Sequence, residues 1–158
     1  PVAARQEGRT VDPALLRSGA EWWAGRCDLL LVEGVGGLLC PLTEDETVAD
    51  LAADLGLPLL VVARATLGTI NHTLLTVEAA RTRNLDVAGI ILNESVPADG
   101  DASVATNAAE IERRSGVPIL GIVPHGRPAR LLVQGTGQRI DWRTLACRVG
   151  PPLPRKRG

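Results

Sequence analysis

Residues 58–93 read PLLVVARATLGTINHTLLTVEAARTRNLDVAGIILN, two short aliphatic runs on either side of a segment with helical spacing. The runs 58–63 and 87–93 carry no polar alternation, the pattern of strands buried on both faces of a parallel sheet. Two parallel strands need a crossover, and residues 69–83 have the length and spacing of a crossover helix. Outward from this unit the alternation repeats. DLLLVE at 28–33 and PILGIV at 118–123 supply two more strand candidates, and 12–24, 47–55 and 102–114 supply three more helices. Thr47 is placed to cap its helix with Asp50 at the third helical position, and Gly56 and Gly116 stand where C-terminal stops belong. The expected architecture is α/β, an open parallel sheet of four strands flanked by helices.

The chain has 158 residues, 45% hydrophobic and 22% charged, within the range of one globular domain. Its apolar share is aliphatic: Phe, Tyr and Met are absent, and the aromatics are Trp22, Trp23 and Trp142. A chain so poor in aromatics is a poor candidate for stacking nucleic-acid bases, and a net charge of -1 supplies no field to attract a polyanion. No nucleic acid and no membrane partner is expected. No apolar run approaches the roughly 20 residues of a membrane span and no charged leader precedes an apolar stretch, so the expected address is the cytoplasm. Cys27, Cys40 and Cys147 lack the spacing of a zinc site or a disulfide framework and read as reduced core residues. Gly121 weakens the last strand or permits a close backbone approach. Residues 97–103 (PADGDAS) read as a polar loop, and after Gly126 the pattern decays. The division expected is one domain over 1–150 and a flexible basic tail, PPLPRKRG, over 151–158.

Ligands in open α/β sheets bind beyond the carboxyl ends of the strands, so the residues after each aliphatic run carry the chemistry. The first run ends in Glu33, Gly34, Val35, Gly36 and Gly37. A carboxylate followed by glycines offers a hard oxygen ligand beside backbone that can approach a phosphate, or else a tight turn with a solvated Glu. The second run leads into Leu67, Gly68, Thr69, Ile70 and Asn71, where free amides at a helix start suit a carboxylate or phosphate. The plainer alternative is that Thr69 caps the helix. His72 reads as a structural histidine rather than a base. The third run ends at Asn93 and Glu94; an Asn side chain both donates and accepts, matching the N6 and N7 edge of adenine, although a turn-forming Asn is the plainer alternative. Pro124, His125 and Gly126 close the last run, as a turn or as restricted backbone presented to a planar base.

Together, VEGVGGLLCPL at 32–42, TVADLAADLGLPLLVV at 47–62, LGTINHTLLTVEAARTRNLDVAGIILNE at 67–94 and GVPILGIVPHG at 116–126 resemble the ATP-dependent dethiobiotin synthetase family, as does ARQEGRTVDPALL at 4–16. The resemblance implies a P-loop NTPase-like sheet, a homodimer, and closure of a ureido ring on 7,8-diaminopelargonate with CO2, ATP and Mg2+. It implies that Glu33 is a magnesium ligand and that Glu33, Gly34, Val35 and Gly36 lie beside the ATP phosphates. It places adenine against Asn93, Glu94, Pro124, His125 and Gly126, and the substrate carboxylate at Leu67, Gly68, Thr69, Ile70 and Asn71. No residue is carried over as a catalytic acid or base. In the family reaction a substrate amine takes up CO2 as a carbamate, ATP phosphorylates it, and the second amine displaces phosphate. Magnesium and lysines neutralise the migrating charge.

The sequence departs from the family pattern in two respects. No G-x-x-x-x-G-K-T run occurs, there is no GK pair, and the one lysine is Lys156. The expectation is a chain lacking the first strand and the P-loop, the C-terminal majority of a synthetase and inactive alone; a chain that opens on Pro1 is read as a processed product or a piece of something longer. After Gly126, Arg127, Arg130 and Leu131 stand where the family places an acidic ribose contact, so no ribose ligand is assigned. Two other readings of the same residues are a noncatalytic binding module and a cobyrinate-type, amidotransferase-associated ATPase domain.

Overall fold

The computed structural model describes residues 1–97, 104–126 and 139–146. Its helices are α1 (Val2–Gln6), α2 (Pro13–Trp23), α3 (Val48–Leu55), α4 (Thr69–Thr82), α5 (Val104–Ser115) and α6 (Trp142–Ala146), and its strands are β1 (Leu59–Arg64), β2 (Val87–Asn93) and β3 (Ile119–Val123). The strands form one parallel sheet in the order β1-β2-β3. The open parallel α/β sheet is as expected, and three of the four expected strands lie in it.

β2 holds the sheet together because it is hydrogen-bonded on both sides. Its side chains divide between two cores, as the uninterrupted aliphatic run requires. Ile90 and Leu92 pack with Val77 of α4, Ala108 and Ile111 of α5, and Ile119. Ile91 turns to the opposite face, where it meets Leu120 and Ile140, with Leu60, Val123 and Leu145 of α6 against them. α4 buries Thr69, Thr73, Val77 and Ala80, one stripe at helical spacing. Glu112 of α5 accepts a hydrogen bond from the Ile119 amide at 3.1 Å, and Ser115 accepts one from the Val117 amide at 3.1 Å, so the end of α5 is tied to the start of β3.

Residues 28–33 correct the sequence expectation. They form no strand, and no backbone hydrogen bond among the described residues involves residues 28–36. Leu31 is 81% exposed. The aliphatic composition is that of a strand, but a strand exists only by its ladder. Here the run meets α2 along an open groove lined by Leu16, Ala20, Trp23 and Leu29 to Val32, and pairs with no strand. The cysteine expectation is corrected too. Cys27 is exposed at the end of α2, Cys40 is half-buried, and both are free thiols. Neither is a core residue, because neither packs in the two aliphatic clusters. Cys147, the tail at 151–158 and residues 98–103 of the expected loop lie outside the described residues.

α2 and α3 are joined by charge. Asp12 caps α2, accepting from the Ala14 amide at 2.9 Å and the Leu15 amide at 3.2 Å, with Pro13 at the first helical position. Arg17 of α2 donates to Glu46 at 3.1 Å and through Nε to Asp54 of α3 at 2.8 Å, and its own charge is stabilised chiefly by Asp54. The Asp50 carboxylate accepts from both the Thr47 hydroxyl and the Thr47 amide at 2.7 Å, which lowers its pKa from the usual value, and α3 ends at Gly56 as expected. Among the described residues no helix is long and apolar enough to cross a membrane.

Gly89 of β2 has no room for a side chain: a Cβ there would run into Leu120 Cδ1 and lie 2.5 Å from its Cγ. Gly89→Ala should therefore lower stability by about 1–3 kcal/mol through overpacking. Gly19→Ala, in α2 where nothing lies within 4 Å of the added methyl, should raise it by roughly 0.5–1 kcal/mol. Urea midpoints of the two variants check both signs.

Candidate functional site

The register of the sheet sets out the site. Arg64, Asn93 and Val123 are consecutive partners across the three strands, so the segments that follow them emerge from one edge, the carboxyl edge. Two of the expected clusters are joined there by hydrogen bonds, and a third follows β1 at the same edge.

The first two are the end of β2 and the turn after β3. Glu94 donates its amide to the Val123 carbonyl at 2.9 Å, adding one rung to the ladder, and its Oε2 accepts from the His125 amide at 3.2 Å. Asn93 and Glu94 are thereby fixed beside Pro124, His125 and Gly126. Asn93 itself is half-buried, and its carbonyl accepts from the Ala65 amide at 3.0 Å, which links β2 to the segment after β1.

That segment leads into α4. Gly68, at φ +89°, is the N-cap, and Thr69 is the first helical residue, so the plainer alternative of a Thr69 cap does not hold. The Thr69 hydroxyl is buried and lies 3.4 Å from that of Thr73, while its amide donates to the Thr66 carbonyl at 3.1 Å. Thr69 is thus committed to the protein interior. The next two amides, of Ile70 and Asn71, are at positions where an α-helix offers its N–H groups no intrahelical acceptor. With the positive end of a 14-residue helix behind them, they are the donors an anion would meet. Asn71 and Leu67 are exposed beside them. His72 is exposed, with its carbonyl accepting from Thr76 at 2.9 Å.

The fourth cluster is held differently. Glu33, Gly34, Val35 and Gly36 follow the unpaired run rather than a strand, so the expected carboxylate at a strand end is a carboxylate at the end of an extended segment. The segment is fitted closely against α3 and the turn before it. A Cβ on Gly34 would lie 2.9 Å from Val48 Cγ1, and one on Gly36, at φ +77°, would lie 2.7 Å from Cys40 Sγ. Glu33 is exposed and makes no hydrogen bond or ion pair among the described residues. No group of three His, Cys, Asp or Glu side chains able to hold a metal occurs among the described residues. One uncommitted carboxylate fits Mg2+ carried in by a polyphosphate that supplies most of its ligands together with water, and does not fit an all-protein cage.

A protein-family model described as AAA domain matches residues 1–129. The chain belongs to that family. The match gives this AAA domain a P-loop NTPase-like fold, consistent with its parallel sheet and flanking helices. Among curated proteins it is similar to ATP-dependent dethiobiotin synthetases. It is 53% identical over 145 residues to that of Anaeromyxobacter dehalogenans strain 2CP-1, covering 89% of this chain and 65% of the relative. It is 57% identical over 123 residues to that of strain 2CP-C, covering 78% and 55%. It is 44% identical over 131 residues to that of Thermodesulfovibrio yellowstonii, also covering 78% and 55%. The chain thus spans between 55% and 65% of the length of these relatives.

Two features of the site escaped the sequence reading. Thr73, the buried partner of Thr69, was signalled by its i, i+4 spacing. Arg64, exposed at the carboxyl edge in register with Asn93, was visible as the polar end of an aliphatic run. Gly36 carries the sharpest test of the loop geometry. Gly36→Ala meets both the left-handed backbone and the Cys40 sulfur, so it should cost about 1–3 kcal/mol. It should also raise the alkylation rate of Cys40 relative to Cys27, read by mass spectrometry of the labelled peptides.

Proposed function

We propose that this AAA domain is the part of a dethiobiotin synthetase that receives the adenine of ATP and the carboxylate of 7,8-diaminopelargonate. The observation that carries the reading is the 53% identity to such an enzyme over 89% of the chain. The common carboxyl edge of β1, β2 and β3 supports it by giving the two recognition surfaces one rigid frame. Adenine is assigned to Asn93, Glu94, Pro124, His125 and Gly126. The carboxylate is assigned to the α4 start, with Ile70 and Asn71 donating their amides, Leu67 and Gly68 shaping the approach, and Thr69 bracing the helix from inside. Glu33, Gly34, Val35 and Gly36 are assigned to the phosphates, with Glu33 the one carboxylate offered to Mg2+.

In the proposed reaction one substrate amine adds CO2 to give a carbamate, ATP phosphorylates the carbamate oxygen, and the second amine displaces phosphate as the ureido ring closes. Bound Mg2+ would neutralise phosphate charge in that transfer. The residues of this chain bind and orient: none is assigned a proton-transfer role. A homodimer, one domain over 1–150 and a cytoplasmic setting complete the proposal. A phosphate site without a P-loop lysine lacks its strongest counter-charge, so the 158-residue chain alone should hold Mg-ATP weakly and not turn over.

The reading is tested by 1H–15N titration of the chain with 7,8-diaminopelargonate. A helix N-terminus contributes roughly 0.3–2 kcal/mol to an anion, so a dissociation constant on the order of tens of millimolar or weaker is expected. Shifts should centre on the amides of Ile70 and Asn71 and should be absent with the matching diamine that lacks the carboxylate. Equal shifts from both compounds, or none from either, contradict the carboxylate site. Incubation with 7,8-diaminopelargonate, bicarbonate and Mg-ATP should yield no dethiobiotin from this chain alone, and measurable product would contradict that expectation.

A further inference from the structure

β1 ends on a cation that the protein leaves unmatched. Arg64 is exposed, and its guanidinium has no hydrogen bond, ion pair or ring contact among the described residues. The other described arginines, Arg139 apart, are each held by a carboxylate, a backbone carbonyl or a ring. No Asp or Glu occurs between Asp54 and Glu78, and Glu94, the carboxylate that follows β2, accepts from the His125 amide rather than from Arg64. We propose that Arg64 binds the polyphosphate of the nucleotide whose base rests on Asn93 and the turn after β3.

The placement follows from register. Arg64, Asn93 and Val123 are partners across a parallel sheet, so their side chains project to one face. Val123 and Leu60 identify that face, since both pack against Ile91, Leu120 and Ile140. Leu60, Val62 and Arg64 alternate onto it along β1. Val62 is 63% exposed, so the face is open beside Arg64. Neighbouring strands lie about 4.8 Å apart, which puts the end of β1 about 10 Å from the end of β3. A nucleotide with its base on the ends of β2 and β3 can therefore carry its phosphates across to β1. There it meets Arg64 and, at the start of α4, the positive end of the helix. A guanidinium offers two parallel N–H groups to phosphate oxygens, and Arg64 has no ion pair to give up first. On this account Arg64 supplies part of the counter-charge in a sequence without a GK pair. The inference rests on the assignment of adenine to residues 93–94 and 124–126.

The experiment titrates the unaltered chain, Arg64→Ala and Arg64→Lys with adenosine and with Mg-ATP, following the amides of Asn93, Glu94, His125 and Gly126 by 1H–15N spectra. The unaltered chain should prefer Mg-ATP to adenosine. Arg64→Ala should reduce that preference by about two- to tenfold, between the scale of an exposed ion pair and that of a charge-assisted hydrogen bond, with adenosine affinity unchanged. Arg64→Lys, which keeps the charge and loses the fork, should keep part of the preference. An undiminished preference in Arg64→Ala overturns the proposal, and so does an equal loss for adenosine and Mg-ATP, the signature of a merely structural role. Weakened binding of 7,8-diaminopelargonate in Arg64→Ala with Mg-ATP binding intact would give the guanidinium to the substrate carboxylate and overturn the proposal as well. Each of these outcomes leaves the nucleobase site standing. Absence of any shift at the four amides with either ligand in the unaltered chain overturns the nucleobase assignment, and the Arg64 proposal with it.

Discussion

The structure depends on β2 being paired on both edges and buried on both faces. Ile90 and Leu92 fill one core while Ile91 fills the other, and each fully buried aliphatic side chain of this kind contributes about 1.5–3 kcal/mol. The same ladder puts Arg64, Asn93 and Val123 in line. The segments that leave these three residues therefore begin at one edge, and none can shift along its strand without turning aliphatic side chains out of a core. Gly89 shows how little slack remains, since Leu120 occupies the space its side chain would need.

From that edge outward the chemistry is built from backbone rather than from titrating side chains. The α4 start offers amides, and Glu94 ties the 124–126 turn to the end of β2 through the His125 amide. The glycine segment at 33–37 is attached by other means. It rests on α3 through Val48 and on Cys40, and α3 is in turn joined to α2 by Arg17 with Glu46 and Asp54. Its aliphatic lead-in at 29–32 lies against α2 and makes no backbone hydrogen bond among the described residues.

Much of this was legible in the sequence where local pattern and tertiary role agree. β2 has the boundaries its aliphatic run predicts, and β1 and β3 begin one residue after their expected starts because Pro58 and Pro118 cannot donate to a ladder. α3 starts at the cap expected at Thr47, and α2 begins where the 12–24 spacing places it, with Asp12 as its cap. Residues 28–33 carry the same kind of text and form no strand, because hydrophobic periodicity reports burial preference and cannot report whether a partner strand is adjacent. The five-residue helices α1 and α6 are too short for a periodic signal, and Ile140, a core residue, stands beyond the point where the pattern decays. The bond from Glu94 to the His125 amide joins residues 31 apart and follows from register, which single-sequence reading does not supply.

The central claim is that the turn after β3 and the end of β2 form one nucleobase site on the carboxyl edge of the sheet. It is tested most directly by photolabelling the chain with 8-azido-ATP and mapping the modified peptides by mass spectrometry. The account predicts label in the segments that hold residues 93–94 and 124–126, suppressed by excess ATP. Saturable label confined to other segments, with these two unmodified, would contradict it.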